Sequence, residues 1–295
     1  MIPARALAGA LEPVIGQVYF SPECHSGYEA LGFGASPAKM GDVALPDGPA
    51  YFCSRGSVMG QVSGQLVAAT FGVFNPVVVV PAVTRGWTLT DASTIGEART
   101  KGAVGQLRRI LGDQPARLAR ATELLRRAND GLRPEGRALY AGLLALGLPG
   151  DPIGDMWRLG DRLREYRGDS HIASWVSAGF DATEIGLLTE LYWGLPMRTY
   201  IRSRAWSDAD LDAAVARLTE RRLVADGAMT DEGRARREAV EDSTDRACQP
   251  IVDNLGDDLD ELVGILRAWS TAVQDAGGYP GRGPHDLAQV SRQPT

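Results

Sequence analysis

The stretch "LREYRGDSHIASW", residues 163–175, concentrates groups that do chemistry. Taken as part of a helix over residues 152–178, its three- and four-residue spacing sets Arg164, Arg167, Gly168, His171 and Trp175 along one side. Glu165 and Asp169 fall on another side, beside Ile172. Two guanidiniums can clamp an anion in two-point fashion. An imidazole can move a proton near neutral pH, an indole can cover a flat ligand, and Gly168 leaves room for close approach. The same residues can equally form a satisfied ion-pair network with acids elsewhere. In an enzyme, His171 is a general acid/base candidate and Tyr166 a hydrogen-bond donor.

Two further segments have suitable residue types. In "PECHSGYEALG", Glu23, His25, Tyr28 and Glu29 fall within two helical turns. His25 and Glu29 are four apart, so the carboxylate can orient the histidine as a second base, or the two can make an ordinary helix-start ion pair. In "YFCSRGSVMG", Tyr51 and Arg55 stand at the exit of a Gly- and Pro-rich segment. An arginine there can hold an anion ahead of a helix N-terminus or cap a neighbouring helix. Cys24, His25, Cys53 and His171 are of metal-binding type but lack ligand spacing such as HxxxH or CxxC, so no metal is expected. No GxSxG, Walker A or GxGxxG fingerprint occurs, and no cofactor is expected.

The elements that must position these groups read as mainly α. "ARATELLRRAND", "EGRALYAGLLALGL", "DLDAAVARLTERRLV" and "LDELVGILRAWSTAV" carry apolar residues three and four apart. Strand signals are confined to "AYFC" and a ribbon around "LVADGAMT". Residues 32–60, rich in Gly and Pro, read as a long loop or flap, and residues 281–295, with the third histidine (His285), as a flexible tail. The charged run "RARREAVEDSTDRA" reads as a solvated, salt-bridged helix.

A weak internal repeat links the halves. "SGQLVAATFGVFNP" leads to "VTRGWT", and at matching spacing "TEIGLLTELYWGLP" leads to "RSRAWS". Upstream of each lies a histidine segment ending in Gly-Phe, from His25 and from His171. The expected fold is therefore two winged-helix-related units in tandem, residues 1–150 and 151–280, the first elaborated by the long loop.

Ser207 as an N-cap, the Asp226-Gly227 turn and "MTDEGRA" make residues 182–273 resemble the winged helix-turn-helix of MarR-type regulators. "FSPECHSGYEALGF", "AYFCSRGSVMG", "VAATFGVFNP" and "LREYRGDSHIASW" extend the likeness: the chain resembles an actinobacterial helix-turn-helix family. That family usually carries His-Arg-Gly-Asp where this chain has Tyr166. The resemblance implies a winged-helix-related fold and a setting in actinobacterial specialised metabolism.

Composition argues against DNA as the partner. The net charge is −6. Asp208, Asp210 and Asp212 open the presumed recognition helix, and the presumed wing has no Lys or Arg. Three cysteines without a CxxC pair, no signal peptide and no long apolar run fit a cytoplasmic protein without a membrane span. The expectation is a small-molecule-binding protein or cofactor-independent enzyme with a pocket between the units for an anionic or planar ligand. Its lining is expected from Arg55, Arg164, Arg167, Tyr28, Glu29, Tyr51 and Trp175, with His25, His171 and Tyr166 catalytic. The alternatives are a ligand-responsive MarR-type regulator and a drug-sequestering resistance protein. The C-terminal helix is a candidate for homodimer contacts.

Overall fold

The computed structural model describes residues 2–41 and 43–280; the expected tail lies outside the described residues. The described residues are mainly helical. The first helices are α1 (Pro3–Gly16) and α2 (Pro22–Ala30), followed by a two-stranded ribbon, β1 (Lys39–Met40) and β2 (Val43–Ala44). Then come α3 (Gly48–Gly56), α4 (Gly64–Phe71), α5 (Pro76–Leu89), α6 (Ala92–Leu111), α7 (Leu118–Ala128) and α8 (Ala138–Ala145). The second half holds α9 (Pro152–Ser177), α10 (Ala182–Tyr192), α11 (Asp208–Glu220), the ribbon β3 (Val224–Ala225) and β4 (Ala228–Met229), α12 (Asp231–Ala247), α13 (Gln249–Leu255) and α14 (Leu259–Asp275). No described helix is long and apolar enough to cross a membrane.

The axis of the molecule is α9. Asp151 caps it by accepting the Gly154 N–H at 2.8 Å, and Pro152 occupies the first turn, where its missing N–H costs nothing. Helices α1, α6, α7, α8 and α12 all pack on α9, so it buries residues on every side. This includes the polar Asp161, Glu165 and Asp169. Buried polar groups are tolerated only when paired, and each of these is. Asp161 takes Arg99 of α6 in a two-point pair at 2.7 and 3.1 Å.

The apolar core forms two clusters. The larger joins α1 to α8 and most of α9 with α13 and α14. The smaller gathers Trp175, Phe180, Ile185, Leu188, Ile201, Leu211, Leu218, Leu223, Val224 and Val240. Helices α13 and α14, grouped with the second unit in the sequence, belong to the larger cluster. Leu262, Leu266, Trp269 and Val273 of α14 are buried, and its main partner is α1. Its apolar face is thus covered within the chain and is not free for a second copy.

Three local expectations are corrected. "AYFC" is helical, not a strand, and lies in α3. The segment 32–60 is not one loop; it contains the β1–β2 ribbon and α3. The Asp-Gly-Pro that looks like turn chemistry is a helix start: the Asp47 side chain accepts the Ala50 N–H at 3.1 Å and Pro49 sits in the first turn. Helix α12 is not solvated all round. Arg237, Glu241 and Asp245, each one turn from the next, are buried.

Candidate functional site

The smaller cluster builds a winged helix. Asp181 caps α10 and Ser207 caps α11, each with a reciprocal capping box (Glu184 and Asp210). The β3–β4 turn needs left-handed backbone at two successive residues, supplied by Asp226 (φ 49°) and Gly227 (φ 78°). Helix α12 closes against the ribbon: a Cβ on Gly233 would lie 2.1 Å from the Leu223 carbonyl oxygen. The connection between α10 and α11, residues 193–207, is longer than a helix-turn-helix turn and is held from both sides. From α10, the buried Glu190 carboxylate accepts the N–H groups of Arg198 and Ile201, both at 2.6 Å. From the first half, Trp206 donates to the Val73 carbonyl at 2.9 Å, and Asn75 donates to Arg204 and Ala205 carbonyls at 3.0 and 3.1 Å.

The outward face of α11 shows Asp208, Ala209, Asp212, Ala213 and Ala216. Two of its carboxylates carry counter-ions from the connection: Arg202 reaches Asp208 at 2.7 Å and Arg198 reaches Asp212 at 2.6 Å. Beside the ribbon, Arg222, Arg234 and Arg236 are exposed, and among the described residues none has a carboxylate partner.

A cavity of about 250 Å³ opens where α1, α9, α10, α12 and α13 meet. Its apolar wall includes Leu7, Leu11, Leu163, Trp193 and Ile251; its polar wall includes Glu12, Arg55, Arg164, Arg167, His171 and Arg237. The arginines are all paired. Arg55 grips Glu165 at 3.0 and 2.7 Å. Arg164 grips Glu12 at 2.9 and 3.1 Å and reaches Glu165 at 2.8 Å. Arg167 spans Glu241 (2.8 Å) and Asp245 (3.1 Å), and Arg237 meets Glu241 at 2.8 Å. Burial pushes the Glu165 carboxyl up, but Arg55 and Arg164 outweigh it and hold the group at about 2.

Burial lowers His171 to about 4 against the opposing pull of Glu241, so the ring is neutral at pH 7. Its tautomer follows from its neighbours. Thr244 Oγ1 donates its proton to the Val240 carbonyl at 2.8 Å. With the hydroxyl proton given to Val240, His171 Nδ1, 3.1 Å from the hydroxyl oxygen, is the donor. Nε2 is left as an acceptor.

The residues singled out in the sequence are divided by the structure. Arg55, Arg164, Arg167, Gly168 and His171 line one cavity. His25 does not reach it: the ring is buried and its Nε2 lies 3.0 Å from the Tyr19 carbonyl rather than against Glu29, which is exposed. Tyr28, on α2, is buried. Tyr51 accepts from Arg55 at 3.2 Å and stacks edge-on to Tyr19, behind the cavity wall. Tyr166 faces away, packed edge-on against Tyr140 with Arg137 over its ring. Trp175 lies beyond the cavity in the winged-helix core, in a groove bordered by Gly72 and Phe74.

Sequence reasoning missed Glu12, Arg237, Glu241 and Asp245. The last three were signalled by charges at four-residue spacing interleaved with Val240 and Thr244. The Arg-Gly-Asp run has a structural account. Arg167 ties α9 to α12, Gly168 lines the cavity, and Asp169 accepts the Leu139 and Tyr140 N–H groups at 3.0 Å each. Those are free donors in the first turn of α8, whose own N-cap residue, Arg137, provides no side-chain cap. Asp169→Ala is expected to cost about 1–2 kcal/mol in urea unfolding, and Asp169→Asn, which keeps an acceptor, much less.

Two helices joined across a held connection, followed by a two-stranded ribbon and a closing helix, define a winged-helix protein. The sequence profile of a helix-turn-helix family matches residues 4–280, and the chain belongs to that family. No curated protein and no solved structure matches the sequence.

Family membership overturns two expectations. The function is not that of a small-molecule-binding enzyme of specialised metabolism, and DNA is not to be set aside as a partner. Physical reasons accompany both corrections. The guanidiniums expected to clamp an anion already hold carboxylates, and His25 and His171 do not share a site. The net charge that argued against DNA is a property of the whole chain, and it hides the unpaired arginines beside the ribbon.

Proposed function

We propose that the protein is a DNA-binding transcriptional regulator, with α11 entering the major groove and the β3–β4 ribbon beside it. The observation that carries this is the helix-turn-helix family match joined to a complete winged helix. Arg222, Arg234 and Arg236 supply phosphate contacts, the sequence-independent part of DNA affinity. Arg198 and Arg202 are held by exposed aspartates through pairs that are weak in water. A phosphate can take either arginine in place of its aspartate. The ribbon itself has no basic residue, so the reading predicts that the wing tip adds little.

The test is a gel shift on DNA upstream of the protein's own gene. Ala213→Glu puts a carboxylate on the exposed face of α11 without touching the core. It is expected to abolish the shift at unchanged melting temperature. A shift that survives Ala213→Glu would place the DNA elsewhere on the molecule.

A further inference from the structure

The cavity among α1, α9, α10, α12 and α13 has a polar balance that selects its occupant. Of the charged groups on or behind its wall, Arg55, Arg164, Arg167 and Arg237 each hold a carboxylate, Glu165 and Glu241 are each held by two guanidiniums, and Glu12 is held by Arg164. An anion would have to displace Glu12 or Glu241, and a cation would have to displace an arginine. Either leaves a buried charge uncompensated, which is strongly unfavourable. Among the wall's polar groups the His171 ring offers an acceptor, its Nε2, with Nδ1 turned to Thr244, and Arg237 Nε is a buried donor without a partner among the described residues. The apolar part of the wall includes Leu7, Leu11, Leu163 and Ile251. At about 250 Å³ the space lies just below the range of drug-sized pockets, about 300–1,000 Å³.

From this we infer that the cavity is a binding site for a small, uncharged, largely apolar molecule carrying one hydrogen-bond donor, which it gives to His171 Nε2. Thr189 and Trp193 of the cavity wall come from the end of α10, and Arg237 and Glu241 from α12. These two helices precede and follow α11 and the ribbon, so an occupant touches both supports of the DNA-reading element. That the molecule acts as an effector rests on the proposed DNA function; the site itself does not.

The probes are indole, benzofuran and indole-3-carboxylate, titrated calorimetrically into the full chain. Indole has the donor, benzofuran is nearly isosteric without it, and the carboxylate adds a charge. Indole is expected to bind about tenfold more tightly than benzofuran, the value of one good hydrogen bond, with the carboxylate weakest. Ala8→Phe, which fills the cavity from α1, is expected to remove indole binding. His171→Leu is expected to erase the preference for indole over benzofuran while both still bind. The inference is overturned if indole does not bind at millimolar concentration, if benzofuran binds equally well to the unaltered chain, or if the carboxylate binds best. Fluorescence anisotropy on the upstream DNA, run separately, keeps the two readings apart. Cavity binding without DNA binding would remove the regulator and leave the site, and DNA binding without indole binding would do the reverse.

Discussion

Glu165→Ala is expected to lower the unfolding free energy by about 3–5 kcal/mol, a large share of the stability of an ordinary domain. The carboxylate is nearly inaccessible and lies between two guanidiniums, Arg55 from α3 and Arg164 from the preceding position on α9. It also accepts the Tyr19 hydroxyl at 3.3 Å. Removing it leaves Arg55 without its carboxylate and Arg164 with Glu12 alone. Burying a pair is a poor source of net stability, but breaking one is costly because the surviving charge cannot rehydrate. Glu165→Gln keeps the volume and the Tyr19 hydrogen bond but removes the charge, so most of the loss is expected to remain. Urea unfolding at pH 7 measures both. A loss within about 0.5 kcal/mol, typical of a surface change, would mean that water reaches this network.

The second large effect concerns DNA. Combining Arg222→Ala, Arg234→Ala and Arg236→Ala is expected to weaken binding on the order of a hundredfold near 0.1 M salt. It is also expected to flatten the dependence of log affinity on log salt by about 2.7, or about 0.9 for each phosphate no longer neutralised. All three side chains are exposed and without carboxylate partners among the described residues. The melting temperature should therefore not change, which separates weakened docking from a damaged fold. Fluorescence anisotropy at four or five salt concentrations reads both quantities. An unchanged slope would show that these arginines do not meet the backbone of the DNA.

Much of the scaffold was legible because its signals are local. Asp151 followed by Pro152 marks the start of α9, Ser207 marks the start of α11, and Asp226-Gly227 marks the ribbon turn; each works through the backbone of its own few residues. Helix α3 escaped because Asp-Gly-Pro is written alike in a turn and in a capped helix start. The inner face of α12 escaped for a different reason. Arg237, Glu241 and Asp245 look like a solvated salt-bridge ladder unless the partners across from them are known. Those are Arg167 and His171 on α9 and Arg5 on α1, the last of which meets Asp245 at 2.5 Å.

The cavity was half legible. The spacing along α9 placed Arg164, Arg167, Gly168 and His171 on one side, and the structure gathers these four with Arg55. Nothing in that spacing reveals that Glu12, some 150 positions earlier, neutralises Arg164. A charge on a helix face reports direction, not partnership. For that reason an apparent anion clamp became a closed network, and His171, flanked by Thr244 and Glu241, became a neutral acceptor instead of a proton carrier.

What remains to be measured is the proposed engagement of DNA by the winged helix. Its most direct test is the equilibrium affinity of the unaltered chain for its upstream DNA, measured as salt rises from low to physiological concentration. Binding at low salt is expected, falling linearly on log–log axes with a slope set by the arginines around α11 and the ribbon. Absence of binding at the lowest salt, or an affinity indifferent to salt, would contradict it.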